Sequence, residues 1–330
     1  MPVNITGTGN TFNLPNFAGD LFTASPTQTP FLSMIGGLSG GMKTENDEFP
    51  TGQLYEFPEA AQPAITEDAS ETAPAATALV RKQKTNVTQI FHEAITITYA
   101  KMANRGKLSG LNTAGQAANP TSELDWQVAQ RLKKIARDVE FTFLNGTFTK
   151  ATASDQANKT RGMFELCSTG TTIAAGDAAI SVDLLKQLFK AMADAGAMFG
   201  NMVLFCGSDQ KQRITALYEK QLGYNTPASR NIGGMNITEL ETDFFKMGVA
   251  YNPFVPDDRI LIADVSACAP VFQDVPGKGT LFLEDLAKTG AAEKKQIYGE
   301  IGLDHGPAFL HGSITGLDYT GRKPGGMTHV

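Results

Sequence analysis

The first residue that could carry chemistry in this sequence is a serine between glycines. The string GLSGG at residues 37–41 matches the G-x-S-x-G pattern of a nucleophilic serine, here Ser39. That pattern needs a strand before the serine and a helix after it, because the sharp turn between them exposes the hydroxyl. The flanks here are a glycine-rich loop and an acidic, strand-like segment. The sequence therefore argues against a serine nucleophile.

A metal site is the second chemical possibility. Histidines are few, and Asp304, His305 and His311 are near enough in sequence to converge on an ion. Their spacing matches neither HExxH nor a comparable ligand pattern. Asp257 and Asp258 precede the strand-like RILIAD, and a turn that opens a strand explains them better than a calcium loop. We expect no metal and no cofactor.

Phosphate-binding loops offer no better candidate. The string GTGN at residues 7–10 lacks the strand and helix of a dinucleotide site, and no GxxxxGK[ST] string occurs. Since no catalytic constellation emerges, we interpret the protein as one that is not an enzyme. An enzyme with an unrecognised site stays open as an alternative.

Charge and cysteine content narrow the class of protein further. The net charge of −6 argues against extensive nucleic-acid binding, because neutralising many phosphates needs a basic surplus. Cys167, Cys206 and Cys268 are odd in number and form no CxxC pair, which predicts buried thiols and a reducing cytoplasm. Neither an export signal nor an apolar run of about 18 residues occurs, so we expect no membrane span.

The elements that must position these residues begin with a charge-poor arm at residues 1–41. This segment is rich in Gly, Thr, Asn and Pro and shows no helical period. It has too little apolar surface to form a core alone, so we expect it to extend along another surface. Its apolar anchors are Phe12, Phe17, Phe22, Phe31 and Leu32.

An acidic segment follows the arm. Residues 45–71 contain eight carboxylates and no Lys or Arg, and their prolines exclude a helix. Strand-like runs on both sides predict a hairpin over residues 42–90 with basic residues on its return limb. Because the segment needs basic partners elsewhere, we expect it to contact another copy of the chain. The candidate contact residues are Glu45, Glu56, Glu67, Asp68, Glu71, Arg81, Lys82 and Lys84.

Residues 121–145 give the best helix signal. Thr121 or Ser122 is the expected cap, and Asn145-Gly146 ends the helix. One apolar stripe, on which we expect Leu132 to face the core, comprises Leu124, Val128, Leu132, Ile135, Val139 and Phe143. A second stripe, which predicts a partner on the opposite face, comprises Trp126, Gln130, Lys133, Arg137, Phe141 and Leu144.

A second packing unit is expected after residue 180, because one core rarely serves so long a chain. The pattern there predicts a small α/β layer. Its parts are a helix capped by Ser181, the buried strand NMVLFC, a helix capped by Ser208, and the strands MNITELE and RILIAD. Residues 287–320 return to strand-like patterns, and we expect residues 321–330 to form a flexible tail. The fold class is α+β.

This order of parts resembles the major capsid proteins of tailed phages, the Hong Kong-ninety-seven-like fold. Three strings are similar to the SU-ten-type major capsid protein family: TPFLSMIG, ELDWQVAQRLKKIARDVEFTFLNG and EKKQIYGEIGLDHGPAFLHGSITGL. The resemblance covers nearly the whole chain. It implies an N-terminal arm (1–41), an extended loop (42–90), a P-domain with a spine helix (91–180), an A-domain (181–286), returning P-domain strands (287–320) and a tail (321–330).

The resemblance also implies a function and partners. Hexamers and pentamers of the chain would tile an icosahedral shell around double-stranded DNA, with the extended loop lying over a neighbour. The location would be the virion capsid, assembled in the host bacterial cytoplasm. Implied partners are a portal, a separate scaffolding protein and a decoration protein, with only non-specific contact to DNA and no membrane. An encapsulin-like compartment, which binds cargo peptides instead of DNA, is the alternative on the same fold.

Three bases of the spine helix have two interpretations in such a shell. A subunit of net charge −6 cannot present an acidic inner wall to DNA without repulsion, so Lys133, Lys134 and Arg137 are candidates to face the lumen. Alternatively, they pair with carboxylates of an adjacent subunit. Lys133 and Arg137 are like charges four residues apart, and a simple solvated patch also accounts for them.

Overall fold

The structure is a computed structural model that describes a large part of the chain. The described residues are 23, 25–75, 77–103, 122–168, 171–197, 200–222, 229–232, 235–242, 244–288 and 290–319. The helices are α1 Pro30–Met34, α2 Glu67–Ser70, α3 Tyr99–Ala103, α4 Glu123–Asn145, α5 Met163–Ser168, α6 Val182–Asp194 and α7 Ser208–Leu222. Two 3-10 turns span Val265–Ala267 and Ala308–Leu310.

The strands form two large sheets and a separate hairpin. They are β1 Met42–Thr44, β2 Glu48–Tyr55, β3 Arg81–Val87, β4 Gln89–Thr98, β5 Thr171–Ala178, β6 Met202–Cys206, β7 Ser229–Ile232, β8 Met235–Glu241, β9 Lys246–Tyr251, β10 Arg259–Asp264, β11 Ala269–Gln273, β12 Leu281–Asp285, β13 Ala292–Asp304 and β14 Gly312–Leu317. The mixture of helices and antiparallel strands confirms the predicted α+β class.

The five-stranded sheet is organised around the long strand β13. It pairs antiparallel with β4, with β12 and, at its C-terminal end, with β11. Strand β1 adds in parallel to β11. Helix α4 lies against this sheet and shares one core cluster with α1 and α5.

The seven-stranded sheet has the order β5-β14-β10-β6-β9-β8-β7. All five residues of β6 are buried, as expected for a central apolar strand with both faces covered. Leu204 packs in one cluster with Leu188 of α6, whereas the alternating Phe205 belongs to the cluster that contains α1 and α4. The ring of Phe205 meets Phe31 edge-on at 5.4 Å. The sheet therefore joins two cores.

Strand membership does not follow the domain ranges expected from the sequence. Strand β5, in the range 91–180, and strand β14, in the range 287–320, both belong to the seven-stranded sheet. Strands β11 and β12, in the range 181–286, pair in the five-stranded sheet. Sheet membership depends on long-range pairing, which the pattern within a segment does not encode.

Helix α4 ends at Asn145 as predicted but begins at Glu123 rather than at residue 121, and its cap, Ser122, is one of the two predicted residues. The Ser122 hydroxyl accepts a hydrogen bond from the Asp125 amide at 3.4 Å. The expectation that Leu132 faces the core is wrong, because its side chain is 37% exposed. Arg131 and Lys134 turn toward Glu93 on β4, which leaves Leu132 on the side away from that contact.

The arm also differs from its prediction. Residues 30–34, expected to be extended, form helix α1 with Pro30 in its first turn, and Phe31 and Leu32 are fully or nearly fully buried. The anchors Phe12, Phe17 and Phe22 lie outside the described residues, as does the tail 321–330. The end of the arm is therefore part of the core.

Two smaller predictions about helices are corrected. The prolines of the acidic segment do not exclude a helix, since residues 67–70 form one turn that Thr66 caps and that Pro63 and Pro74 flank. Ser208 is not the cap of α7 but its first residue. Among the described residues, no helix is both long and apolar enough to cross a membrane.

Candidate assembly surfaces

The hairpin of β2 and β3 is fixed to the body at its root. The buried Thr51 hydroxyl donates to Asp304 Oδ1 at 2.5 Å, and the buried Asn86 amide donates to the Leu303 carbonyl at 2.7 Å. Both acceptors lie at the C-terminal end of β13. The pairing of β2 with β3 shifts register just beyond Thr51, which bends the strand where it leaves the body.

Gly52 lies at this bend, and its position explains why a glycine is needed. Its φ is +60°, and a Cβ there would lie 3.0 Å from the Gly306 carbonyl oxygen. Only glycine adopts this conformation readily and leaves room for the close backbone contact. The bend therefore sets the direction of the hairpin.

Beyond the root, the hairpin has no cover from its own subunit. Every described residue from Tyr55 to Lys84, here called the distal hairpin, is exposed. The rings of Tyr55 and Phe57 contact each other at 5.4 Å, and Phe57 is 71% exposed. The hairpin apolar set consists of Tyr55, Phe57, Ile65, Leu79 and Val80. Sequence reasoning missed this set because it treated the segment as essentially acidic.

The predicted contact acids and bases lie on the hairpin or next to it, and few of them pair with each other. Glu56 and Lys82 form an exposed ion pair at 3.8 Å. Within the described part of the chain no ion pair involves the remaining predicted contact residues, which are Glu45, Glu67, Asp68, Glu71, Arg81 and Lys84. Their charges are available to a partner.

The three bases of the spine helix have three different environments. Lys134 pairs with Glu93 of the same subunit, so it needs no carboxylate from a neighbour. The Arg137 guanidinium lies 6.0 Å from the Phe254 ring centre, and its buried Nε finds no hydrogen-bond partner in the described residues. Lys133 is exposed and makes no ion pair within the same part of the chain.

The second stripe of α4 is only partly a free surface. Trp126 is half-buried and Phe141 is 42% exposed, whereas Leu144, also expected on this stripe, is fully buried. The stripe therefore begins at the surface and ends in the core.

A groove runs between β4 and the exposed side of α4, and we call it the spine groove. Its cavity measures about 350 Å³. Ile90, which is 58% exposed, and Phe141 give it apolar walls. The lining residues are Gln89, Ile90, Phe91, His92, Glu93, Ile135, Asp138 and Phe141.

Glu140 of α4 is a central residue that sequence reasoning missed. Its carboxylate is fully buried and accepts hydrogen bonds from the backbone amides of Phe31 and Leu32, at 2.9 and 2.7 Å, and from the Asn252 side chain at 2.6 Å. Burial raises the pKa of Glu140 to about 7, although these three donors favour the ionised form. Glu140 thus joins the arm, the spine helix and the residue after β9. An acid within the apolar run VEFTFL was the available signal.

The histidines considered as metal ligands are committed to other contacts. His311 Nδ1 accepts from the Asp264 amide at 3.2 Å, and its Nε2 donates to the His305 carbonyl at 2.7 Å. Burial lowers the pKa of His311 to about 4. His305 Nδ1 faces the Gly306 carbonyl at 2.7 Å. Among the described residues no three His, Cys, Asp or Glu side chains are placed to hold a metal ion.

The candidate nucleophiles lack the required settings. Ser39 lies in a turn after helix α1 and before strand β1, the reverse of the strand–serine–helix order. All three cysteines are buried free thiols, as predicted. Burial raises the pKa of Cys167 and Cys206 to about 12, which keeps them protonated at neutral pH.

The geometry therefore describes a body with a projecting hairpin, and the comparison with known families decides what this is. The model of the SU10 major capsid protein family matches residues 4–318. The chain belongs to the SU10 major capsid protein family. It is a capsid shell subunit, and its role is structural.

Solved structures show the same fold for this capsid subunit. The cyanophage A-1(L) capsid matches with a TM-score of 0.62 and 10% identity, over 92% of this chain and 97% of that chain. The holo-SrpI encapsulin complex of Synechococcus elongatus matches with a TM-score of 0.57 and 13% identity, over 94% of this chain and 95% of that chain. Mycobacterium phage Bobi matches with a TM-score of 0.55 and 13% identity, over 93% of this chain and 96% of that chain. At these identities the likeness shows the fold alone. No curated protein matches the sequence.

Proposed function

We propose that this capsid subunit self-assembles as hexamers and pentamers into the icosahedral shell that encloses the double-stranded DNA of a tailed phage. The observation that carries the proposal is the distal hairpin, where every described residue from Tyr55 to Lys84 is exposed. Large exposed apolar groups that are rimmed by charges are typical of protein–protein interfaces. Membership of the capsid family supports assembly into a shell, and the exposed hairpin is a surface through which subunits could bind each other.

In this proposal the hairpin is an intersubunit clamp. Its root is held rigidly by Thr51 and Asn86, so the distal part is presented in a defined direction. Unpaired carboxylates at the tip, such as Glu67 and Asp68, would select a basic surface on the neighbour, and the apolar set would supply buried area.

In this proposal the two large sheets form the two domains of the subunit. The core of the A-domain is the seven-stranded sheet with α6, and A-domains would meet at the capsomer centre. The P-domain is the five-stranded sheet with the spine helix α4. From Pro30 onward the arm belongs to the core of its own subunit.

The remaining partners and the location belong to the same proposal. We infer a portal, a separate scaffolding protein and a decoration protein, assembly in the bacterial cytoplasm and no catalytic activity. Lys133 is the one predicted lumen base that is both exposed and free of an ion pair within the described residues. It is therefore the best candidate for non-specific contact with packaged DNA.

A protein compartment of the encapsulin kind is the second candidate function. The specific observation in its favour is the fold shared with the Synechococcus elongatus encapsulin complex, at a TM-score of 0.57. The family match favours the phage capsid. Particles purified from the native host distinguish the two functions, because a capsid contains a phage genome and a compartment contains protein cargo.

Negative-stain microscopy of the purified chain tests self-assembly. We expect closed shells, capsomer rings or tubes. A chain that stays monomeric at high concentration, even when a crowding agent or a scaffolding protein is added, would contradict the proposed function.

A further inference from the structure

Two buried histidines lie where the hairpin joins the body. His305 and His311 are both fully buried. The backbone amide of His305 donates to the Thr51 hydroxyl at 3.3 Å, and a Cβ added to Gly52 would lie 3.8 Å from His305 Cε1. His311 contacts the His305 carbonyl on the other side. The bend that sets the direction of the hairpin therefore rests on His305, and His305 rests on His311.

Backbone groups fix which nitrogen of each ring carries hydrogen. The Gly306 carbonyl can only accept, so Nδ1 of His305 carries the hydrogen. The Asp264 amide can only donate, so Nδ1 of His311 is the unprotonated nitrogen and Nε2 donates to the His305 carbonyl. The remaining nitrogen, His305 Nε2, is buried and has no hydrogen-bond partner among the described residues. The contacts thus suit two neutral rings.

A second proton on either ring would be poorly accommodated. On His305 it would create an N–H at Nε2 that finds no acceptor in the described structure, beside the bend at Gly52. On His311 it would place an N–H against the amide of Asp264, donor against donor. Burying a cation without an acceptor is unfavourable. Protonation of either ring therefore weakens the packing beneath the hairpin root.

The surrounding charges do not compensate. The charged groups that act on the two rings are Lys84, Arg161, Asp264 and Asp304. Asp304 favours protonation of His305, but its Oδ1 already accepts from the Thr51 hydroxyl and the Gly306 amide. The two bases oppose protonation of the same ring, and Thr51 and Gly52 of β2 add no charge. Burial lowers the pKa of His305, and it lowers that of His311 to about 4.

We propose that the hairpin root is an acid-sensitive hinge, in which protonation of His305 and His311 loosens the bend at Gly52 from the end of β13 and lets the hairpin change direction. In an opened root both rings meet water and titrate near 6.5. The closed root binds fewer protons than the open root between about 4 and 6.5, so it loses stability as the pH falls through this window. The hinge belongs to the single subunit and does not depend on assembly.

Distances between two spin labels on the unassembled subunit test the hinge. The labels are attached at Tyr55→Cys, which lies on β2 beyond the bend, and at Leu283→Cys on β12, since both positions are exposed. The native cysteines are buried, so they do not take up label. We expect one narrow distance distribution at neutral pH. A second, separate population should appear as the pH is lowered toward about 4.

Substitution of the histidines identifies the group that opens the root. In His305→Asn the side-chain amide can donate to the Gly306 carbonyl in place of Nδ1 but does not titrate, so the acid-induced population should be lost. His311→Gln keeps a donor toward the His305 carbonyl and should shift the opening to lower pH. The matched control is His92→Asn, because His92 is exposed on β4, and this variant should open like the original chain.

Two results of these measurements would overturn the hinge. Acid-induced opening that is unchanged in His305→Asn would assign the effect to another group. A distance distribution that stays single in the original chain down to about pH 4 would show that the root does not open.

Nitrogen resonances of ¹⁵N-labelled histidine rings test the same point without a change at either ring. At neutral pH we expect His305 to be neutral with hydrogen on Nδ1 and His311 to be neutral with hydrogen on Nε2, which distinguishes the two rings from each other. Both should gain a proton over the pH range in which the second distance population appears. A His305 ring that is a cation at neutral pH, or that gains its proton while the distance stays single, would refute the hinge even if neither variant folds.

Discussion

The distal hairpin and the junction around Glu140 contain similar residue types, carboxylates and aromatic rings, but differ in whether these side chains are buried. At the junction, a carboxylate and the neighbouring rings are buried, and three donors of the same chain bond to Glu140. On the hairpin, carboxylates and rings are exposed and mostly unpaired. A subunit of a shell needs both regions, because one holds the fold together and the other leaves interactions to be completed by a neighbour.

The largest expected effect is on the free energy of unfolding, and it should differ between a buried phenylalanine, Phe143, and an exposed one, Phe57. Phe143 of α4 is fully buried, so Phe143→Ala should lower the free energy of unfolding of the unassembled subunit by about 3–5 kcal/mol. Phe57→Ala should leave that value within about 0.5 kcal/mol and should block shell formation instead. Urea titration and sedimentation measure the two properties. Equal destabilisation by both changes would contradict the contrast between the regions.

Next in size is the loss of the buried carboxylate. Glu140→Ala leaves three donors without an acceptor, and each unsatisfied donor costs about 1–3 kcal/mol. Relief of the carboxylate's own desolvation offsets part of this, so we expect a net loss of about 1–3 kcal/mol near neutral pH. Glu67→Ala on the exposed hairpin is the control and should not change subunit stability.

The same residue should give the subunit a pH dependence. Unfolded, Glu140 loses its proton near 4.5, whereas burial raises its pKa in the folded chain to about 7. The folded chain therefore binds more protons between these values, and its stability falls as the pH rises through that window. Glu140→Gln cannot titrate, so the difference in unfolding free energy between the original chain and this variant should decrease from pH 4.5 to 7 and then level off. A constant difference would show that Glu140 does not titrate there.

His311 titrates with the opposite effect on stability. For this reason the prediction concerns the difference in unfolding free energy between the two chains, and not the pH dependence of one chain alone. Burial lowers the pKa of His311 to about 4, so the folded chain binds fewer protons than the unfolded chain between about 4 and 6.5. This stabilisation is present above 6.5 and is lost as the pH falls through 4. It is common to both chains and cancels in the difference.

A smaller effect concerns the hairpin acids. Replacing Glu67, Asp68 and Glu71 by Gln should weaken shells most at low salt, because screening of their attraction to a basic neighbour is least there. Particle yield across a salt series measures this. Assembly that is unchanged at every ionic strength would show that these carboxylates do not stabilise the contact between subunits.

The smallest effect on the subunit is expected at Leu132. Since it is partly exposed, Leu132→Ala should cost about 0.5 kcal/mol or less, whereas Ile135→Ala, one turn away and buried, should cost about 2–5 kcal/mol. Trp126→Ala should leave the subunit folded and impair assembly. Thermal unfolding of unassembled subunits compares the three, and a loss at Leu132 as large as at Ile135 would restore the original assignment of the core face.

Local patterns predicted much of the fold, and long-range contacts account for the errors. The spine helix and its Ser122 cap follow from periodicity and capping, which are encoded within a few residues. The exposure of Leu132 and the burial of Glu140 depend on which element packs against each face of α4. Strand β14 joins the seven-stranded sheet through pairing with β10 and β5. The sequence predicted the hairpin itself but not its exposed apolar residues, because carboxylates dominate the composition of that segment.

A cryo-electron microscopy map of shells assembled from the unmodified chain tests the central claim most directly. We predict that residues 55–84 of each subunit lie on a neighbouring subunit, with Phe57 buried by that neighbour, while Glu140 keeps its contacts with Phe31 and Leu32 inside one subunit. Shells in which the distal hairpin is free in solvent or folded against its own body would contradict the account.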